Sequence, residues 1–225
     1  ATTSRLTPAV RPQKPAGSGY HQPAYAGRSP TKLVTVMIEE LRPAVFLDRD
    51  GVLNRVFVRD GVTHPPATVE EFALLPGADG AVRRLHAAGY ALVVVTNQPD
   101  VARGIQTREG VERIHEHLRA ELPMLEVLTC FHDKDDDCAC RKPKPGMVLE
   151  AVRRWRLDPH RSFVVGDRWS DVIAGQAAGC RTILVETPQS DRTRCQPDHC
   201  VRDLAEAAEW ILTQKRGAKA HEAVC

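Results

Sequence analysis

The sequence predicts an α/β fold, a Rossmann-like three-layer sandwich built on a parallel sheet. Three observations predict it. Short unbroken apolar runs such as "AVFL" (44–47) and "ALVVV" (91–95) read as strands buried on both faces. Helix-period segments alternate with these runs, the order that generates right-handed crossovers between parallel strands. Several runs end in acids or hydroxyls, where such sheets bind their ligands.

Each element has its own justification. "AVFLD" is the first strand. "VFVRDGVTH" (56–64) sets Asp60-Gly61 between β-branched residues and predicts a small hairpin. "PGADGAVRRLHAAG" is a helix, with Pro76 near its start and Gly89 at its end. "YALVVVTN" is the second core strand, and residues 107–122 form a helix entered at Thr107. "LEVLTC" is a strand, and "PGMVLEAVRRWR" is a helix with Pro145 in its first turn. "SFVVGD" is a strand, followed by the helix "SDVIAGQAAG", capped by Ser170 and closed by Gly179. "RTILVE" is the fifth strand of the sheet, and Asp203-x-x-Glu206 opens the last helix as a capping box. The domain is read as residues 39–215, with 216–225 as a tail. Residues 1–38, rich in Pro, Gly, Ser and Ala, are read as a disordered segment or linker.

Composition narrows the function classes. The chain has 225 residues, 42% of them apolar, enough for one sizeable core. A formal charge of +2 gives no strong pull toward nucleic acid or an acidic membrane, and no apolar run is long enough to span a bilayer. Seven cysteines, three of them within residues 130–140, suggest metal binding in a reducing compartment rather than a disulfide framework. A cytoplasmic protein, monomeric and without nucleic-acid or membrane partners, is expected.

The chemistry stands at the strand ends. The first strand delivers Asp48 and Asp50, the second Thr96 and Asn97, and "VVGD" delivers Asp167, with Asp171 four residues on. "CRKPKP" adds Arg141 and Lys142. Carboxylates so placed repel one another unless a cation sits among them, and hard oxygen ligands suit Mg²⁺. A Lys and a Thr beside that cation make a phosphoryl pocket. "CFHDKDDDCAC" brings Cys130, His132, Cys138 and Cys140 together, a set suited to a closed, structural zinc site. That loop runs directly into Arg141 and Lys142, so zinc there braces the lysine. Cys195, His199 and Cys200 lack a fourth ligand and are read as coincidence. His115 and His117 do not share a helix face and are read as surface residues.

Together "FLDRDGVLN", "VVVTNQ", "CRKPKPGM" and "VVGDRWSD" resemble the haloacid dehalogenase superfamily of phosphohydrolases. More narrowly, they resemble its capless branch, which includes heptose bisphosphate phosphatases and histidinol-phosphatases. The resemblance covers residues 44 to about 212. It implies Asp48 as the nucleophile that forms an aspartyl-phosphate, and Asp50 as the acid and then the base. It implies Mg²⁺ held by Asp48, the main-chain carbonyl of Asp50, and Asp167, with Thr96 and Lys142 stabilising the phosphoryl group. Asn97, Gln98, Arg141 and Arg168 fall to substrate binding, and Asp171 to the metal shell or a helix cap. The capless branch carries a similar zinc loop, and the short form here looks more like the histidinol-phosphatase pattern.

A Mg-dependent phosphomonoesterase acting on a small sugar phosphate, preferably a bisphosphate, is therefore expected. Arg55, Arg59 and Arg103 are candidates to offset Asp100 beside a doubly charged sugar. Histidinol phosphate is the alternative substrate. A nucleic-acid 3′-phosphatase is disfavoured by the low net charge and few aromatics, and a non-catalytic zinc or phosphate-ligand module is disfavoured because every motif residue is present.

Overall fold

A computed structural model describes residues 41–59, 62–188 and 190–222. The expectation for residues 1–38 lies outside them, as do Asp60 and Gly61 of the hairpin turn. Six strands form one parallel sheet: β1 (Ala44–Leu47), β4 (Ala91–Asn97), β5 (Glu126–Cys130), β6 (Phe163–Gly166), β7 (Arg181–Val185) and β8 (His199–Val201). Their order is β5-β4-β1-β6-β7-β8. The chain leaves β1 in one direction, through β4 to β5, then returns to the other side of β1 as β6. The crevice at this switch lies between the carboxyl ends of β1 and β6, where Asp48 and Asp167 stand.

The pleat sorts the core. Val45 and Leu47 of β1, Leu92 and Val94 of β4, and Val165 of β6 face one layer. There they meet α1 (Ala78–Ala87), α2 (Arg108–Glu121) and α5 (Leu204–Glu222). Ala44, Phe46, Val93 and Val95 face the opposite layer and pack on Met147, Val148 and Ala151 of α3 (Gly146–Trp155). The fourth helix, α4 (Trp169–Ala177), completes that layer through Val172 against Leu184. Alternation within all-apolar strands is what makes two buried faces from one run. The predicted hairpin forms from β2 (Phe57–Arg59) and β3 (Val62–His64), paired antiparallel. It is the only sheet inserted between β1 and α1 among the described residues, so the carboxyl ends of the strands stay open, as a capless fold requires. No helix is long and apolar enough to cross a membrane among the described residues.

The structure differs from the sequence reading in five places. Strand β8, which extends the sheet beyond "RTILVE", was not anticipated; its three residues are too short for period to identify. Ser170 does not cap α4. Arg168 holds the cap position, and the Asp171 carboxylate accepts the Arg168 N–H at 3.0 Å, so the acid on the first turn sets the start. At α5, Asp203 accepts from the Glu206 N–H, but Glu206 reaches back to Arg202 rather than to Asp203. His115 is not a surface residue: it is fully buried on the inner face of α2 beside Ile114 and Leu118. The α5 backbone remains helical through Glu222, past the boundary drawn at residue 215.

Candidate active site

The site is a cavity of about 270 Å³ at the carboxyl ends of β1, β4 and β6, with Asp48, Asp50, Thr96, Asn97, Arg141, Lys142, Asp167 and Arg168 in its wall. Its floor is a buried ion cluster. Lys142 Nζ lies 2.7 Å from Asp48 Oδ1 and 2.6 Å from Asp171 Oδ1, and donates to the Val95 carbonyl at 2.7 Å. The other Asp171 oxygen accepts the α4 cap N–H. Asp171 thus caps the helix through one oxygen and sets the other against the ammonium as an ion pair, without a hydrogen bond. Carboxylate oxygens of Asp48, Asp167 and Asp171 all lie within 4.8 Å of one another.

Three acids face one ammonium, and the protonation equilibria follow. Burial, then Asp171 and Asp50, push Asp48 up to about 6 against the pull of Lys142. Burial and the charges of Asp48 and Asp171 push Asp167 up to about 8. Burial alone would lower Lys142, but Asp171 and Asp48 reverse this and hold it above the ordinary lysine range. The cluster carries an excess of negative charge that a cation would neutralise. Asp167 Oδ1 is buried without a hydrogen-bond partner, as an oxygen reserved for such a cation would be.

Two glycines permit this crowding. Gly51 sits at φ +90°, and a Cβ there would come within 2.6 Å of Asp167 Oδ2. A Cβ on Gly166 would lie 2.2 Å from the Asp171 Cβ. Ser190, which sequence reasoning missed, donates to the main-chain oxygen of Asp167 at 2.8 Å and fixes the end of β6.

Asp50 stands beside the cluster in a cradle of donors. Gln98 Nε2 donates to its Oδ2 at 2.7 Å, Asn54 Nδ2 to its Oδ1 at 2.9 Å, and Arg49 Nη2 to its Oδ2 at 2.9 Å. Gln98 is thus buried behind Asp50, where it also donates to Thr96 Oγ1 at 2.9 Å; it is not part of the cavity wall. Asn97 clamps the loop that carries the lysine: its Nδ2 donates to the Lys142 carbonyl and its Oδ1 accepts the Lys142 N–H. Arg168 donates to Thr63 Oγ1 at 3.2 Å and so ties α4 to the hairpin. Arg55 lines a different cavity, behind Gly51, and does not face Asp100. Arg103 does reach the rim, where it pairs with Asp100 at 3.3 Å and with Asp133 at 2.7 Å.

A family model, HAD-hydrolase-like, matches residues 139–207. The D-glycero-beta-D-manno-heptose-1,7-bisphosphate 7-phosphatase of Pasteurella multocida is 34% identical over 185 residues, covering 76% of this chain and 97% of the relative. The D-glycero-alpha-D-manno-heptose-1,7-bisphosphate 7-phosphatase of Mycobacterium bovis is 40% identical over 152 residues, covering 63% of this chain and 78% of the relative. The crystal structure of the B. bronchiseptica D,D-heptose 1,7-bisphosphate phosphatase, complexed with magnesium and phosphate, is similar with a TM-score of 0.67. It shares 34% identity and covers 76% of this chain and 99% of that one. The chain belongs to the haloacid dehalogenase superfamily. Its relatives place it among that superfamily's phosphatases, and it is a phosphoric monoester hydrolase.

Beside the cavity, this phosphatase gathers Cys130, His132, Cys138 and Cys140 at the end of β5. Cys130 Sγ is 3.7 Å from Cys138 Sγ and 3.3 Å from Cys140 Sγ, and His132 Nδ1 is 3.3 Å from Cys140 Sγ. A tetrahedral ion with sulfur ligands at about 2.3 Å sets them about 3.7 Å apart, so the four side chains need little movement to hold one. The same loop is tied to the cavity, because Arg141 Nη1 donates to the His132 carbonyl at 2.9 Å.

Proposed function

We propose that this phosphatase removes the 7-phosphate of D-glycero-D-manno-heptose 1,7-bisphosphate, with Asp48 as nucleophile. The observation that carries the substrate is the set of relatives at 34–41% identity, named for that reaction on both anomers. The open cavity is compatible with it, since Arg103, Arg141 and Arg168 edge a pocket floored by Lys142, a basic rim for a doubly charged sugar.

An Asp48 oxygen attacks phosphorus, and the bond from phosphorus to the sugar oxygen breaks. Asp50 gives its proton to that oxygen as it leaves. Asp50, now a carboxylate, takes a proton from water; the water oxygen attacks phosphorus and the bond to Asp48 breaks. Phosphate leaves, Asp48 is a carboxylate again, and Asp50 holds a proton as it did at the start. Lys142 and the Thr96 hydroxyl face the transferring oxygens, and Lys142 also orients Asp48. Arg141 and Arg168 bind substrate, while Asn97 and Gln98 act by holding Lys142 and Asp50. Asp171 spends one oxygen on the α4 cap and pairs the other with Lys142, so Asp48, Asp167 and the Asp50 carbonyl are the residues that would hold Mg²⁺. When bound, that ion supplies positive charge against the phosphoryl oxygens. Cys130, His132, Cys138 and Cys140 hold a structural zinc that stiffens the loop carrying Arg141 and Lys142.

The short His132-to-Cys138 spacing is the observation that favours histidinol phosphate instead. Measuring kcat/KM for both substrates on one preparation decides between them. A preference for the heptose bisphosphate, with the 7-phosphate lost first by ³¹P NMR, supports the proposal. A preference for histidinol phosphate overturns it.

A further inference from the structure

Behind Asp50 the fold buries a line of polar groups that the reaction above does not use. Arg49, between the two acids of the first motif, is fully buried. Its Nε and Nη2 are spent on the Asp50 carboxylate, at 2.9–3.2 Å. Its third nitrogen, Nη1, lies 3.0 Å from Nε2 of His115, which is itself fully buried on α2. Arginine can only donate, so Nε2 accepts and the ring proton rests on Nδ1. Nδ1 lies 3.6 Å from the Glu112 carboxylate, beyond hydrogen-bond reach, and is buried without a hydrogen-bond partner among the described residues. Burial, with Arg49 and Arg119 adding to it and Asp50 opposing, lowers His115 to about 3, so the ring is neutral and available as an acceptor.

We infer that His115 is a positioning residue for the reaction: it anchors the buried Arg49 guanidinium, and the anchored guanidinium aims the Asp50 carboxylate. A guanidinium has planar geometry, so fixing Nη1 fixes the direction of the Nε and Nη2 protons. Without an acceptor at His115, a buried N–H is left unsatisfied, and rotating the guanidinium away from Asp50 is the way to relieve it. α2 therefore contributes to the cavity although none of its side chains lines it.

The inference rests on Asp50 being the acid that protonates the leaving oxygen, and a leaving-group comparison tests the two separately. A sugar oxygen needs a proton to depart, whereas 2,4-dinitrophenolate does not. Measured as kcat/KM, which reports the first phosphoryl transfer, Asp50→Asn should be damaged on heptose bisphosphate and nearly unaffected on 2,4-dinitrophenyl phosphate. His115→Leu should show the same split in weaker form, with a loss of about 10-fold on the sugar, a fraction of the 10²–10⁴ of a whole acid-base group. His115→Gln, whose amide oxygen can accept from Nη1, should recover most of that loss. Thermal midpoints recorded on the same samples separate folding from positioning. Equal losses on both substrates for His115→Leu, no loss on either, or a His115→Gln as damaged as the leucine variant would each overturn the role of His115 while leaving Asp50 intact. An Asp50→Asn without the split would remove the acid-base reading and this inference with it.

Discussion

Lys142→Met keeps the length of the side chain and removes its charge. The wild-type ammonium holds Asp48, Asp171 and the Val95 carbonyl, each within 2.7 Å, at a position 3% exposed. Removing one partner of a buried ion pair costs about 3–5 kcal/mol, because the remaining charge stays buried. The lower end applies here, since the acids can shed charge by taking up protons: Asp167 already stands at about 8 and Asp48 at about 6. A loss of about 3 kcal/mol, with a urea slope of about 2 kcal/mol per molar, lowers the unfolding midpoint by about 1.5 M. The domain survives this, because folded domains hold about 5–15 kcal/mol. Urea unfolding of both proteins at neutral pH, without divalent cations, reads it directly. In saturating magnesium the gap should narrow, as the ion takes over the neutralisation, while activity stays low. A midpoint unchanged in both buffers would refute the claim that the lysine holds these acids together.

Three further outcomes follow from the same geometry. Asp50→Asn should slow heptose bisphosphate turnover by about 10²–10⁴-fold in steady-state assays, and a rate near wild type would remove Asp50 from the chemistry. The purified protein should contain about one zinc by elemental analysis; Cys138→Ser should lower the thermal midpoint before it lowers turnover, and a zinc-free protein that stayed fully folded and active would contradict the bracing role. His115 is depressed from 6.5 to about 3 in the folded state, so below pH 6.5 the unfolded chain binds the extra proton and stability falls as pH drops toward 3. Compared with His115→Gln, the wild type should therefore lose about 2 kcal/mol more between pH 7 and pH 5, and parallel pH profiles of unfolding would show that the ring is not buried neutral.

The fold and the acids of the site were legible in the sequence for a physical reason. Strands buried on both faces must be unbroken apolar runs, so their ends stand out, and Asp48, Thr96 and Asp167 sit at such ends. The zinc-type set was legible because its four ligands are close in sequence, within residues 130–140. What escaped depends on contacts distant in sequence. Arg49 and His115 meet across 66 positions; the helical period places His115 on the apolar face of α2 with Val111, Ile114 and Leu118, but does not name its partner. One signal was available: an arginine inside "FLDRDG", at the end of a buried strand, must find partners wherever the chain can supply them. Gln98 and Asn97 were visible as polar residues at the end of β4, but only the fold shows that they hold Asp50 and Lys142. The Ser170 cap failed because Asp171, one residue on, competes for the same helix start.

The central claim is that Asp48 carries the phosphoryl group in covalent linkage. Rapid acid quench of the magnesium-loaded enzyme during turnover of heptose bisphosphate, followed by peptide mass spectrometry, tests it most directly. The account predicts a peptide spanning Asp48 heavier by one phosphoryl group, absent before substrate is added and absent from Asp48→Asn. Phosphate released at the wild-type rate by Asp48→Asn, or a phosphorylated residue other than Asp48, would contradict it.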